Sequence, residues 1–194
     1  MKRIEPAADR LRASLTFVIL LCLSASVAAS AEVLDLDGRK VNPFRLPADA
    51  YVFFFVQASC PISNRYAPEM RRLFQMYGQG PTRFFLVYVN SGETSEAIGR
   101  HLEEFGLNLP VLLDPEHRIV RRAGAKVTPE SSVFSSAGEL LYRGRIDNRY
   151  FELGRARPAA TRFDLEEALR SLQGGEKPEF RETEAFGCFI SDLQ

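Results

Sequence analysis

The 194-residue chain carries 25 basic and 25 acidic side chains, with 45% hydrophobic residues. No basic stripe is interleaved with aromatics, so a nucleic-acid partner is not expected. Three cysteines, at 22, 60 and 188, are too few for a disulfide scaffold.

The first thirty residues read as a targeting segment. Lys2, Arg3, Arg10 and Arg12 form a basic n-region, Leu15 to Leu23 is mostly apolar, and small residues follow from Ser24 to Ala31. This is a secretory signal pattern, with cleavage expected after Ala29 or Ala31. The alternative is an uncleaved anchor, because Ala13 to Ala29 contains no charge; that stretch is short for a span of roughly 20 residues. Cys22 follows Leu21, where a lipoprotein site would need a small residue, so lipidation is not expected. The organisation read from the sequence is a signal or anchor over 1–29, a domain over 32–173 and a tail over 174–194 that carries Cys188. The product would be exported, periplasmic or secreted, and membrane-associated only if the segment stays on. Residues 1–29 hold four basic and two acidic groups, leaving 21 against 23. A remainder of about 165 residues is one domain's worth and should bury roughly 70% of its unfolded surface without needing a disulfide.

Glu32 to Phe44 alternates around a turn at Asp37-Gly38 and predicts an edge strand or hairpin. Tyr51 to Val56 is a continuous apolar run, the mark of a strand buried on both faces. Pro61 fits a first helical turn, and Tyr66, Met70, Leu73 and Tyr77 share one face of a helix over 61–77. Pro68 lies inside that helix and is expected to kink it. Arg83 to Val89 is a second buried strand. Thr94 to Phe105 is a helix with Ile98, Leu102 and Phe105 inward, and 109–113 is a short strand. Asp114-Pro115 reads as N-cap and first-turn proline of a helix to Ala123. Ser131 to Arg145 is a hairpin, and 147–160 a loop. Thr161 to Asp164 has capping-box-like spacing for a last helix with Leu165, Ala168, Leu169 and Leu172 inward. The fold class is α/β, a central mixed sheet flanked by helices.

This layout puts Cys60 at a helix N-terminus after a central strand, where the dipole and free N–H groups favour a thiolate. The competing reading is a buried cysteine that is inert or permanently bridged.

Phe55 to Ser63, including Gln57-Ala58-Ser59-Cys60-Pro61-Ile62-Ser63, together with the element order, resembles the thioredoxin superfamily and its redoxin branch of alkyl hydroperoxide reductase/thiol-specific antioxidant proteins. The run Cys60 to Glu69, with Gly187-Cys188 near the end, resembles bacterial redoxin-domain proteins. The resemblance spans Val33 to Leu172. It implies a thioredoxin-like fold in which Cys60 is the nucleophile, Pro68 the helix-kinking proline, and Thr128-Pro129 the cis-proline loop against the sulfur. Two positions depart from the pattern. Ser63 stands where thioredoxin has its second cysteine, so Cys60 has no local thiol. Gln57 stands where peroxiredoxins carry a threonine that orients peroxide.

The activity implied is thiol–disulfide exchange with protein thiols or disulfides. Cys60 would attack, and Cys188 or an external thiol reductant would resolve. A peroxiredoxin-like peroxidase acting on peroxide, and a non-enzymatic module holding a peptide in the cis-proline groove, are the alternatives. Ser63 is read as a helix-start residue bonded to backbone, or else as a donor to the sulfur; Arg65 as a thiolate-stabilising or a solvated charge. Cys188 is either a resolving thiol, a packed tail residue or one half of a static disulfide. His101 and His117 are expected at the surface. Arg143, Arg145, Arg149, Arg155, Arg157 and Arg162 are expected in a solvated loop, or else as an anion-docking or partner-docking surface. No metal and no cofactor are expected, since a soft-ligand site would need a second nearby cysteine.

Overall fold

In the computed structural model of the chain, residues 31–176, 181–191 and 193 are described; the expected signal segment lies outside them. The central strand is β3 (Ala50–Val56), and all seven of its residues are buried. Val52, Phe54 and Val56 face one half of the core, and Tyr51, Phe53 and Phe55 the other. A strand with no solvent face has no reason to alternate, which is why its sequence is a continuous apolar run. Each of its three consecutive phenylalanines stabilises the fold by roughly 1.5–3 kcal/mol of burial.

Around it lie β1 (Val33–Leu34), β2 (Lys40–Val41), β4 (Thr82–Tyr88), β5 (Val111–Leu113), β6 (Val127–Thr128), β7 (Glu130–Ser135), β8 (Leu140–Gly144), β9 (Tyr150–Glu152), β10 (Arg155–Ala156), β11 (Arg181–Glu182) and β12 (Cys188–Phe189). The main sheet has the order β11-β8-β7-β3-β4-β5-β1-β2. β3 runs parallel to β4 and antiparallel to β7. The helices are α1 (Pro61–Tyr77), α2 (Ser95–Phe105), α3 (Arg118–Ala123) and α4 (Asp164–Gln173). Apolar residues of α1, α2 and α4 pack into one half of the core and those of α3 into the other, so both sheet faces are covered. α1 runs through the exposed Pro68 as one helix.

Several local expectations are corrected. Asp114 does not begin a helix directly. Its buried carboxylate accepts from the N–H groups of Arg118, Ile119 and Val120, so it caps α3 from across an intervening turn. Thr161 makes no capping box: its hydroxyl accepts from Asn148 Nδ2, and Asp164 is spent on a salt bridge to Arg145 at 2.8 Å. Segment 147–160 contains the β9–β10 ribbon rather than loop alone. Nor are all the arginines between 143 and 162 simply solvated. Arg143 reaches the Ala123 and Gly124 carbonyls and Glu182, and Arg145 neutralises Asp164, which is 1% exposed in its side chain.

The tail takes part in this architecture. β11 adds to the edge of β8 in parallel, and β12 pairs antiparallel with β6, matching Cys188 to Thr128 and Phe189 to Val127.

Candidate active site

Cys60 is the N-cap residue of α1, with extended backbone, and Pro61 follows at the first helical position. The proline has no N–H to satisfy, so the first free donor that can reach the sulfur is the Ser63 N–H, at 3.5 Å. The sulfur in turn donates its proton to the Thr128 carbonyl at 3.1 Å. The Thr128–Pro129 peptide is cis, as the resemblance implied, and Pro129 is buried beside it.

The same Thr128 is the residue that β12 pairs with, so the tail brings Cys188 to the sulfur. Gly187 permits the approach. A Cβ on it would sit 2.1 Å from Thr128 O and 2.6 Å from Thr128 C, so only glycine lets the two backbones lie this close. The Ile190 N–H continues the contact to the Lys126 carbonyl at 3.0 Å. Cys60 and Cys188 are both free thiols in this state, the first buried and the second half-buried.

The two thiols set each other's protonation. Burial pushes the Cys60 thiol up, but the Cys188 S–H, the Ser63 N–H and hydroxyl, and the Thr128 hydroxyl together outweigh it and hold the pKa below the ordinary cysteine value. Burial first, then the hydrogen bond and charge of Cys60, push Cys188 up to about 12. The arrangement favours ionisation of Cys60 over Cys188, with the Cys188 S–H as a donor to the Cys60 sulfur.

Of the expected site residues, Cys60, Cys188, Pro61, Ser63, Gln57, Thr128 and Pro129 are brought together. Gln57 Oε1 accepts from the Thr128 hydroxyl at 3.3 Å, and its carbonyl accepts from the Cys60 N–H at 3.1 Å. The buried Ser63 hydroxyl makes no hydrogen bond to backbone; it sits in the first helical turn near the sulfur, where it favours the charged form. Arg65 lies on the exposed side of α1 and donates to the Tyr150 hydroxyl at 3.3 Å instead of approaching the sulfur.

Asn64, with His101 behind it, and Glu93 support the turn before Cys60. Neither histidine is at the surface. His101 is 5% exposed; its Nδ1 meets the Tyr88 hydroxyl at 2.7 Å and its Nε2 meets Asn64 Oδ1 at 2.9 Å. Asn64 Nδ2 then donates to the Ala58 carbonyl at 3.1 Å. Burial holds the His101 pKa below its usual value. The neutral ring therefore accepts from Tyr88 and donates to Asn64. His101 lies three residues after inward-facing Ile98, so its place on the helix face was the available signal. His117, also buried, donates Nε2–H to the Val89 carbonyl at 2.9 Å. Glu93 follows β4 in a polar turn that reads as solvent-facing, yet its Oε1 accepts from Ala58 N–H at 2.6 Å. Burial raises its pKa against the pull of the Ala58 and Ser59 N–H groups. Among the described residues there is no group of acidic, histidine and cysteine side chains that could hold a metal ion.

A central mixed sheet, a cysteine capping the first long helix and a cis-proline against the sulfur define a thioredoxin-like protein. Residues 25–143 match the family model described as AhpC/TSA family, and the chain belongs to that family. It is 22% identical over 107 residues to the thiol-disulfide oxidoreductase ResA of Halalkalibacterium halodurans, covering 55% of this chain and 60% of that protein. It is 23% identical over 109 residues to the ResA of Bacillus thuringiensis, covering 56% and 62%. The chain thus spans less than two thirds of these relatives. Among solved structures, an uncharacterized conserved protein from Geobacillus kaustophilus superposes with a TM-score of 0.71 at 23% identity, over 82% of this chain and 86% of that one. A secreted Mycobacterium tuberculosis disulfide oxidoreductase does so with a TM-score of 0.52 at 16% identity, over 74% and 94%.

Proposed function

We propose that the protein is an exported thiol–disulfide oxidoreductase of the redoxin type, cycling between the Cys60/Cys188 dithiol and a Cys60–Cys188 disulfide. The observation that carries this reading is the docking of β12 on the cis-proline loop, which gives Cys60 the protein thiol that Ser63 denies it. Closing the disulfide transfers two electrons to a partner disulfide, which leaves as two thiols. Cys60 is the thiolate of the pair, and Cys188 is its proton donor and disulfide partner. Thr128, Gln57 and Ser63 surround the sulfur, and Pro61 begins the helix that stabilises it. An external thiol reductant returns the pair to the dithiol. Export rests on the leader pattern of residues 1–29 and is checked by the mass of the protein recovered outside the cytosol.

The test uses the full chain carrying Cys22→Ser, leaving two thiols. Mild oxidation should remove both, with peptide mapping finding Cys60 joined to Cys188. Reduction of a peptide disulfide should fall at least about a hundredfold in Cys60→Ser, since the thiolate is the reactive form. Undiminished exchange in that variant sinks the proposal. Stoichiometric peroxide consumption at Cys60, without disulfide exchange, would assign the peroxidase chemistry instead.

A further inference from the structure

In the docked state the Cys60 sulfur is the one that a partner cannot reach. Cys60 is 1% exposed, enclosed by the Thr128 carbonyl, the first turn of α1 and the tail strand. Gly187 lies so close to Thr128 and Pro129 that no space remains for a peptide between them. The edge of β6, where an extended substrate could add a strand, is already taken by β12. Cys188 is the less buried of the two cysteines: it is half-buried where it packs against the core cluster that holds Cys60, while Phe189, pointing the other way along the strand, is 77% exposed.

We propose that partners exchange disulfides with this protein at the Cys188 sulfur, while Cys60 serves as the buried leaving and resolving thiolate. The inference rests on the Cys60–Cys188 pairing proposed above and reverses the order of attack that the motif alone suggests. Starting from the oxidised protein, a partner thiolate attacks Cys188 Sγ. The Cys60–Cys188 bond breaks, and its electron pair leaves on Cys60 as a thiolate at the end of α1. A mixed disulfide now joins Cys188 to the partner. The partner's second thiolate attacks its own sulfur in that bond and expels the Cys188 thiolate, which takes up a proton. The protein has gained two electrons, and the partner has become a disulfide.

The hydrogen bonds around Cys60 favour this direction of cleavage, because a disulfide releases its better-stabilised thiolate faster. Access points the same way. The route to Cys188 needs no movement of the tail, whereas attack on Cys60 requires β12 to leave Thr128.

The experiment is a trapping measurement on the oxidised full chain carrying Cys22→Ser, prepared with a diazenedicarboxamide oxidant. Excess glutathione is added, the reaction is stopped with acid within milliseconds, free thiols are alkylated, and the position of glutathione is read by peptide mass. Glutathione on Cys188, in about tenfold or greater excess over Cys60, is the expected result, from leaving-group and access effects acting together. Glutathione mainly on Cys60, or equally on both, overturns the inference and leaves the pairing intact. Failure of the oxidised protein to contain a Cys60–Cys188 disulfide overturns both.

Discussion

Replacing Gly187 by alanine tests the contact on which the site depends. Gly187 is not among the glycines with positive φ, so the change adds a methyl group without demanding a new backbone conformation. The added Cβ would lie 2.1 Å from Thr128 O. A carbon in contact with a carbonyl oxygen stays at about 3.3 Å or beyond, so β12 must retreat by about 1 Å. That breaks the Ile190–Lys126 hydrogen bond and lifts Ile190, 6% exposed, from its seat. The hydrogen bond is worth about 0.5–1.5 kcal/mol and the isoleucine about 1.5–3 kcal/mol. Together they shift the docking equilibrium by about 2–4 kcal/mol, or roughly 30- to 1000-fold. Freed of Cys60, Cys188 returns from about 12 to about 8.5. Its thiolate is then far more abundant at neutral pH but a weaker nucleophile, and the two effects combine to an alkylation rate about a hundredfold higher. The assay is site-resolved alkylation of the reduced protein with Cys22→Ser in both backgrounds. A Cys188 rate within a fewfold of the parent would refute the reasoning.

Cys188→Ala removes the S–H donor from Cys60, so the Cys60 pKa should rise and its thiolate absorbance should appear at higher pH; an unmoved titration would show that the two sulfurs do not couple. Because burial depresses the His101 pKa, the unfolded chain binds more protons there than the folded one; this stability is intact above the unfolded value of about 6.5 and is lost as pH falls from there toward the lower folded value. His101→Gln should therefore flatten the loss of urea midpoint between about pH 7.5 and 5.5 relative to the parent, the opposing slope of the raised carboxyls Glu93, Asp114 and Glu130 being common to both proteins. The oxidised protein should unfold with about 5 kcal/mol more resistance than the reduced one, the chain-entropy value for closing a loop of roughly 130 residues. Urea unfolding of the two forms checks this, and equal midpoints would count against a Cys60–Cys188 bond.

The sheet centre was legible because β3 is buried on both faces and its composition records that directly. So was the start of α1, since proline fits the first turn and a cysteine before it can serve as the cap. The tail was legible only as a cysteine with a glycine before it. What seats β12 is backbone pairing to Val127 and Thr128, and backbone donors leave no side-chain pattern. His101 was misplaced at the surface although its helix face was read correctly, because a polar side chain on an inward face was judged by its type rather than its position. Arg145 and Asp164 were likewise judged as a loop charge and a cap, when each is the other's partner across 19 residues.

Moving the second thiol from the first turn of α1 to the end of the chain changes what the site can do. In a Cys-x-x-Cys motif both sulfurs belong to one rigid element, and the disulfide closes a short loop worth about 2 kcal/mol of unfolded-state entropy. Here Cys60 is fixed by β3 and α1, while Cys188 rides on a two-residue strand secured by a few backbone bonds, a buried glycine and Ile190. The proposed Cys60–Cys188 disulfide would therefore constrain a much larger loop and fasten the strand that carries it. Oxidation and tail docking must strengthen each other by the same free energy, because each favours the state in which the sulfurs meet. In the dithiol state the Cys188 S–H donates to the Cys60 sulfur, which lowers the Cys60 pKa and raises that of Cys188. The tail is held on the cis-proline loop in this dithiol state, and the proposed disulfide would hold it more firmly. A partner that reacts without displacing it would meet Cys188, the less buried of the two cysteines.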